Sequence, residues 1–184
     1  MATRKKVQLK LDELERDGMV QKVTVPTQWI SSMVTVVKPN GKIRTCLDPK
    51  DLNEAVLHEK YQLPTIEDVA SRLHGAKMFT KLDVRSGFWH VQWDEESSLL
   101  TTFHIPFGRY CWRRLPFGIC SAPEVFQRRM HKIVEGLTGV EVVAGDFLVV
   151  GFGDDMEQAT RNHDENLLAF LRKCEEKNLV LNLE

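Results

Sequence analysis

The chain has 184 residues, with 25 Lys and Arg against 26 Asp and Glu, a formal charge of −1, 42% hydrophobic and 28% charged residues. That length can bury a real core as one domain or two small lobes, and the composition excludes disordered and fibrous classes. Near-neutral charge excludes a global basic field, so any handling of nucleic acid falls to a local stripe of Lys and Arg.

No apolar run approaches the ~20 residues of a bilayer span, and the opening Met-Ala-Thr-Arg-Lys-Lys lacks the apolar segment of a signal peptide. No membrane partner is expected. The cysteines Cys46, Cys111, Cys120 and Cys174 are scattered without C-x-x-C spacing, which points to free thiols in a reduced intracellular compartment. The histidines form no ligand pair at metal spacing.

Residues 5–17 are expected as a helix, with Val7, Leu11 and Leu14 on one face and Gly18 as its stop. Trp29 to Val37 and Lys42 to Leu47 are expected as strands joined by Pro39-Asn40-Gly41. Lys38, Lys42 and Arg44 then gather at one hairpin, either as a charged edge that deters aggregation or as a clamp for phosphates. Pro64-Thr65 opens the next helix with a capping box that uses Asp68, and Ile66, Val69 and Leu73 line its apolar face.

Lys77 to Val84 is an apolar strand that ends on Asp83. A buried charge there needs a partner or a metal. Leu99 to Phe103 and Arg109 to Leu115, around Pro106-Phe107-Gly108, predict a second hairpin. Ser121-Ala122-Pro123-Glu124 starts a helix whose buried stripe is Phe126, Met130, Ile133 and Val134. Arg128, Arg129 and Lys132 lie outside that stripe, as a solvated face or as contacts to backbone phosphate.

Val142-Val143 and Phe147 to Val150 flank Ala144-Gly145-Asp146, a hairpin with Asp146 at its tip. A carboxylate there can serve the turn or hold a metal. Gly153-Asp154-Asp155 spells a tripeptide known from polymerases, but it sits where a helix N-cap belongs. Asp155 starts a long helix carrying Ala159, Leu167, Phe170, Leu171 and Cys174. Leu179 to Leu183 then begins a strand, and so abrupt an end is expected of a fragment boundary.

The ordered motifs resemble a reverse transcriptase of the gypsy-like LTR retrotransposon type. The resemblance runs through Trp29-Ile30-Ser31-Ser32-Met33-Val34, Lys42 to Asp48, Asp51-Leu52-Asn53 and Tyr61 to Ile66. It continues through Phe79 to Trp89, Thr101-Thr102-Phe103, Pro106 to Tyr110, Leu115-Pro116-Phe117-Gly118 and Ser121-Ala122-Pro123. It implies an α+β right-hand polymerase of fingers and palm, with an antiparallel palm sheet packed on helices and the thumb absent. Residues 1–57 and 91–121 are then fingers, and 58–90 and 122–184 palm. The thumb and ribonuclease H of a Pol polyprotein would lie elsewhere.

The resemblance further implies two Mg²⁺ ions about 3.5–4 Å apart, held by carboxylates, that activate a primer hydroxyl and neutralise a triphosphate. Asp83 and Asp146 match two of the three family carboxylates. The family's turn, aromatic–x–Asp–Asp, falls on Val143, Ala144, Gly145 and Asp146, so Gly145 stands where a metal-binding Asp is usual. Losing such a group commonly costs about 10²–10³ in rate. By position, Lys38 and Arg44 match residues that grip the incoming dNTP, Phe88 the aromatic gate beneath its sugar, and Phe117 and Gly118 the loop lining its pocket.

The implied partners are an RNA or DNA template–primer and dNTP, in the cytoplasm or a retroelement particle. An impaired polymerase, a still-active one with fewer carboxylates and a non-catalytic binding relic all remain open.

Overall fold

The computed structural model describes residues 2–37, 43–58, 60–62, 64–143 and 145–182. In chain order the first elements are α1 (Ala2–Arg16), β1 (Val20–Lys22), β2 (Ser32–Val37), β3 (Ile43–Asp48), α2 (Lys50–Ala55), α3 (Ile66–Arg72) and β4 (Ala76–Asp83). A 3₁₀ turn at Gly87–His90 precedes α4 (Glu95–Leu100), β5 (Phe103–Ile105), β6 (Gly108–Trp112) and α5 (Ala122–Val134). Then come β7 (Val140–Val143), β8 (Asp146–Phe152) and α6 (Met156–Glu176). Contacts divide the chain into two units, Met1–His58 with Phe88–Ala122 and Glu59–Gly87 with Pro123–Glu184.

In the first unit α1 ends where expected. Gly18 takes φ +69°, and the N–H groups of Gly18 and Met19 donate to the Glu15 and Leu14 carbonyls. Leu11 and Leu14 are buried, and Val7 is half-buried. A three-stranded antiparallel sheet, β1-β6-β5, and the β2–β3 ribbon carry the unit, around a core of Phe103, Trp112 and Leu115.

The second predicted hairpin is shorter than expected, because Leu99 and Leu100 are helical. Asp94 caps α4 by accepting from the Ser97 N–H at 2.7 Å, and Glu95 and Glu96 favour its N-terminal end. Those cap and dipole contacts override the strand propensity of the apolar pair.

In the second unit β4-β8-β7 form an antiparallel sheet. Phe147 and Val149 of β8 are buried, and Phe147 packs on Phe170 of α6 with ring centroids 4.7 Å apart. The inner stripe of α6 differs from the expected one: Leu171 is exposed, while His163 and Asn166 join Ala159, Phe170 and Cys174 in burial. The two polar members are satisfied, His163 Nε2 by the Thr80 hydroxyl at 2.8 Å and Asn166 Nδ2 by the Val150 carbonyl at 2.8 Å. Asp155 is the N-cap of α6, accepting from the Gln158 N–H, so the Gly-Asp-Asp triplet serves the helix.

Val180 to Asn182 lie against the end of β4: the Arg85 N–H donates to the Val180 carbonyl and the Asn182 N–H to the Asp83 carbonyl. The expected last strand is thus a single bridge, Val84 to Leu181. Leu183 lies outside the described residues.

The Thr65–Asp68 capping box forms as read from sequence. The Thr65 backbone N–H, then its hydroxyl, hold the Asp68 carboxyl below its ordinary 3.8. This contribution is present above the ordinary value and is lost as pH falls through the lower folded value. Thr65→Ala is expected to cost about 0.5–2 kcal/mol, read as a shift in denaturation midpoint at unchanged slope.

Candidate active site

Strand β4 alternates along its length, with Ala76, Met78, Thr80 and Leu82 turned toward the core and Lys77, Phe79, Lys81 and Asp83 exposed. Asp83 is therefore not a buried charge at the end of an apolar strand, as the sequence suggested. It sits on the open face, where an ion is carried without desolvation. Asp83 pairs directly with Asp146, the first residue of β8, and Asp146 with Val143 of β7. Cross-strand partners share a face with Cβ atoms about 4.5–5.5 Å apart, so the register brings the two carboxylates together.

Like charges so placed repel, and a neighbouring cation relieves them. Lys81 Nζ lies 2.8 Å from Asp146 Oδ2. The hydrogen bond to Asp146, then its charge, and more weakly the charge of Asp83, hold the Lys81 ammonium above its ordinary range. Lys81→Met is expected to raise Mn²⁺ affinity about two- to five-fold, because the ion no longer competes with an exposed ammonium; an isotherm equal to that of the unaltered chain contradicts this.

The β7–β8 hairpin has a two-residue connection in which Gly145 takes φ +99°. That backbone suits glycine, and it explains why the turn forms without a carboxylate at this position. Phe126 of α5 lies under two glycines: a Cβ on Gly87 would meet its Cζ at 2.7 Å, and one on Gly145 its Cε1 at 3.3 Å.

The next residue, Gln127, is buried and donates through Nε2 to the Val142 carbonyl at 3.0 Å. The same nitrogen faces His131 Nε2 at 2.9 Å, and His131 Nδ1 lies 2.6 Å from the Tyr61 hydroxyl. His131 thus completes a chain of hydrogen bonds from Tyr61 through Gln127 to the hairpin.

In the first unit Phe88 and Phe117 are in contact, with ring centroids 4.9 Å apart and planes tilted by 35°. Gly118 follows at φ +115°, and its Cβ position falls 2.0 Å from the Leu47 carbonyl oxygen, so only glycine fits between this loop and β3. The Leu47 N–H donates to the Phe117 carbonyl at 2.9 Å.

Three expected site residues thus meet here and two meet on the β4–β8 face. Arg44 lies in β3 opposite Val36. Its side chain, Lys38, Lys42, the Pro39-Asn40-Gly41 turn and Ala144 lie outside the described residues. Arg128, Arg129 and Lys132 are exposed on α5.

Sequence reasoning missed Lys81 and Gln127. Lys81 was available from the period of two that places it on the face of Asp83. Gln127 falls three residues before Met130, on the inward stripe, but a lone amide gives no apolar signal.

The sequence profile of the reverse transcriptase (RNA-dependent DNA polymerase) family matches residues 36–184. The chain belongs to the reverse transcriptase family. Curated relatives include the enzymatic polyprotein of Figwort mosaic virus (strain DxS), 32% identical over 141 residues, which span 77% of this chain and 20% of the relative. The uncharacterized protein K02A2.6 of Caenorhabditis elegans is 36% identical over 146 residues, covering 78% of this chain and 11% of that protein. The chain therefore spans a fifth or less of the length of these two relatives.

Among solved structures, the foamy viral protease–reverse transcriptase in complex with RNA/DNA hybrid matches with a TM-score of 0.83 at 21% identity, over 100% of this chain and 24% of its own. The dRH form of the foamy viral enzyme in complex with double-stranded DNA gives 0.83 at 23% identity, over 97% of this chain and 30% of its own. These establish the fold: mixed helix and antiparallel sheet, as in part of the foamy virus polymerase domain.

Reverse transcriptases are nucleotidyltransferases that use divalent metal ions. Among the described residues no group of three or more His, Cys, Asp or Glu could hold a metal ion. The donor set here is two carboxylates, with an ammonium already on one of them. That set does not fit a two-ion centre.

Proposed function

We propose that the chain is the fingers-and-palm portion of a gypsy-like LTR retrotransposon polymerase, shaped for RNA-directed DNA synthesis and impaired in it by Gly145. Residues 1–57 and 91–121 are the fingers in this reading, and 58–90 and 122–184 the palm. The thumb and ribonuclease H belong to other parts of the polyprotein. The observation that carries the reading is the Asp83–Asp146 cross-strand pair beside a turn whose remaining position is glycine.

Asp83 and Asp146 would hold one Mg²⁺ weakly, in competition with Lys81. When bound, such an ion supplies Lewis acidity toward phosphate oxygens. Phe88 would pack under the sugar of the dNTP, and Phe117 and Gly118 would line its pocket, with Lys38 and Arg44 on the triphosphate. Arg128, Arg129 and Lys132 would contact the phosphate backbone of an RNA or DNA template–primer. The setting is intracellular, in cytoplasm or a retroelement particle.

A second reading, a relic that binds nucleic acid or protein without catalysis, is favoured by the Lys81–Asp146 ion pair, which already engages one of the two carboxylates internally. Both readings with nucleic acid share one test, a titration of RNA–DNA template–primer at several salt concentrations. The affinity is expected to fall log-linearly with salt as Lys and Arg release counterions, and a flat response contradicts phosphate contacts.

A further inference from the structure

Asn53 closes the Asp51-Leu52-Asn53 motif and lies outside the residues of the proposed nucleotide site. It lies in α2, which buried Leu52 anchors, and its half-buried side chain reaches 65 residues along the chain. Nδ2 donates to the Gly118 carbonyl at 2.8 Å, and Oδ1 accepts from the Cys120 N–H at 2.9 Å. The Cys120 thiol lies 3.8 Å from the Asn53 carbonyl.

One carboxamide thus satisfies a backbone acceptor and a backbone donor two residues apart. Among side chains only Asn and Gln offer one of each on a single planar carboxamide, and Gln is a methylene longer. With the Leu47–Phe117 bond, the segment from Phe117 to Cys120 is held at three backbone points.

We propose that Asn53 is the positioning residue of the nucleotide pocket, holding the Phe117–Gly118 loop where the Phe117 ring meets Phe88. The proposal rests on the reading of that loop as the dNTP pocket. Asn53 touches no substrate; it fixes the backbone from which Phe117 projects. Loss of the amide leaves the Gly118 carbonyl and the Cys120 N–H to water and lets the loop swing, so the pocket must be re-ordered each time a nucleotide binds. Asp at this position would still accept from Cys120 but would set a carboxylate oxygen against the Gly118 carbonyl.

The test is an equilibrium titration of mant-dATP onto the chain mixed with a dideoxy-terminated template–primer in Mg²⁺, for the unaltered protein, Asn53→Ala and Asn53→Asp, each checked for folding by circular dichroism. The Kd is expected to rise about tenfold in Asn53→Ala and at least as far in Asn53→Asp, with stoichiometry and template–primer affinity unchanged. A purely structural role lowers the folded fraction, hence the stoichiometry, and leaves Kd as it was; that result overturns the proposal alone. Should the unaltered chain bind no mant-dATP, the pocket reading fails and the proposal with it.

Discussion

Gly145→Asp is expected to raise Mg²⁺-dependent nucleotide addition by about 10²–10³-fold while making the protein less stable, two effects of opposite sign from one side chain. The gain would come from a third carboxylate beside Asp83 and Asp146, completing the set that the proposed two-ion chemistry needs. The loss comes from the backbone. At φ +99° an L-residue is strained, and its Cβ lies 3.3 Å from the Phe126 ring. Asp tolerates such regions better than most residues, so the strain is about 1–2 kcal/mol, or about 2–8 °C in Tm for a chain of this size. Rate and Tm measured on the same preparation check both signs. A faster enzyme with unchanged Tm would mean that the turn changes its path to accept the aspartate.

Gly118→Ala is expected to be the most damaging small substitution in the first unit, costing about 2–5 kcal/mol and abolishing the proposed nucleotide binding. Its Cβ would fall 2.0 Å from the Leu47 carbonyl oxygen and 2.9 Å from the carbonyl carbon, both backbone atoms that cannot turn aside. The loop must lift from β3, which breaks the Leu47–Phe117 bond and strains the two bonds to Asn53. Gly18→Ala is the control. It has positive φ as well, at +69°, yet nothing lies within 4 Å of its added Cβ, so it carries only the conformational cost of about 1–2 kcal/mol. Chemical denaturation of the two variants separates contact from conformation, and equal losses would contradict the close approach at Gly118.

Much of the fold was legible because local signals and tertiary demands agree. The capping box at Thr65, the cap at Asp155 and the stop at Gly18 are decided within a few residues, and the structure keeps each of them. The hairpin carrying Asp146 was legible for the same reason: β-branched runs on either side of a glycine leave few alternatives.

What stayed hidden depends on partners distant in sequence. Leu99 and Leu100 look like strand residues until the Asp94 cap is counted. His163 and Asn166 look polar and outward until Thr80 and the Val150 carbonyl supply their bonds. At the site, Asp83 and Asp146 were individually visible, but their face-to-face register and the Lys81 ammonium paired with Asp146 follow only from strand pairing. Asn53 and Gln127 act on backbone groups, which carry no sequence signature at all.

In the proposed function two carboxylates, Asp83 and Asp146, stand where polymerisation needs three. Single-nucleotide addition to a primer on an RNA template, measured in Mg²⁺ for the unaltered chain, Asp83→Asn and Gly145→Asp, tests it most directly. The unaltered chain is expected to fall within about tenfold of Asp83→Asn and about 10²-fold or more below Gly145→Asp. An unaltered chain that matches Gly145→Asp and far exceeds Asp83→Asn would contradict it.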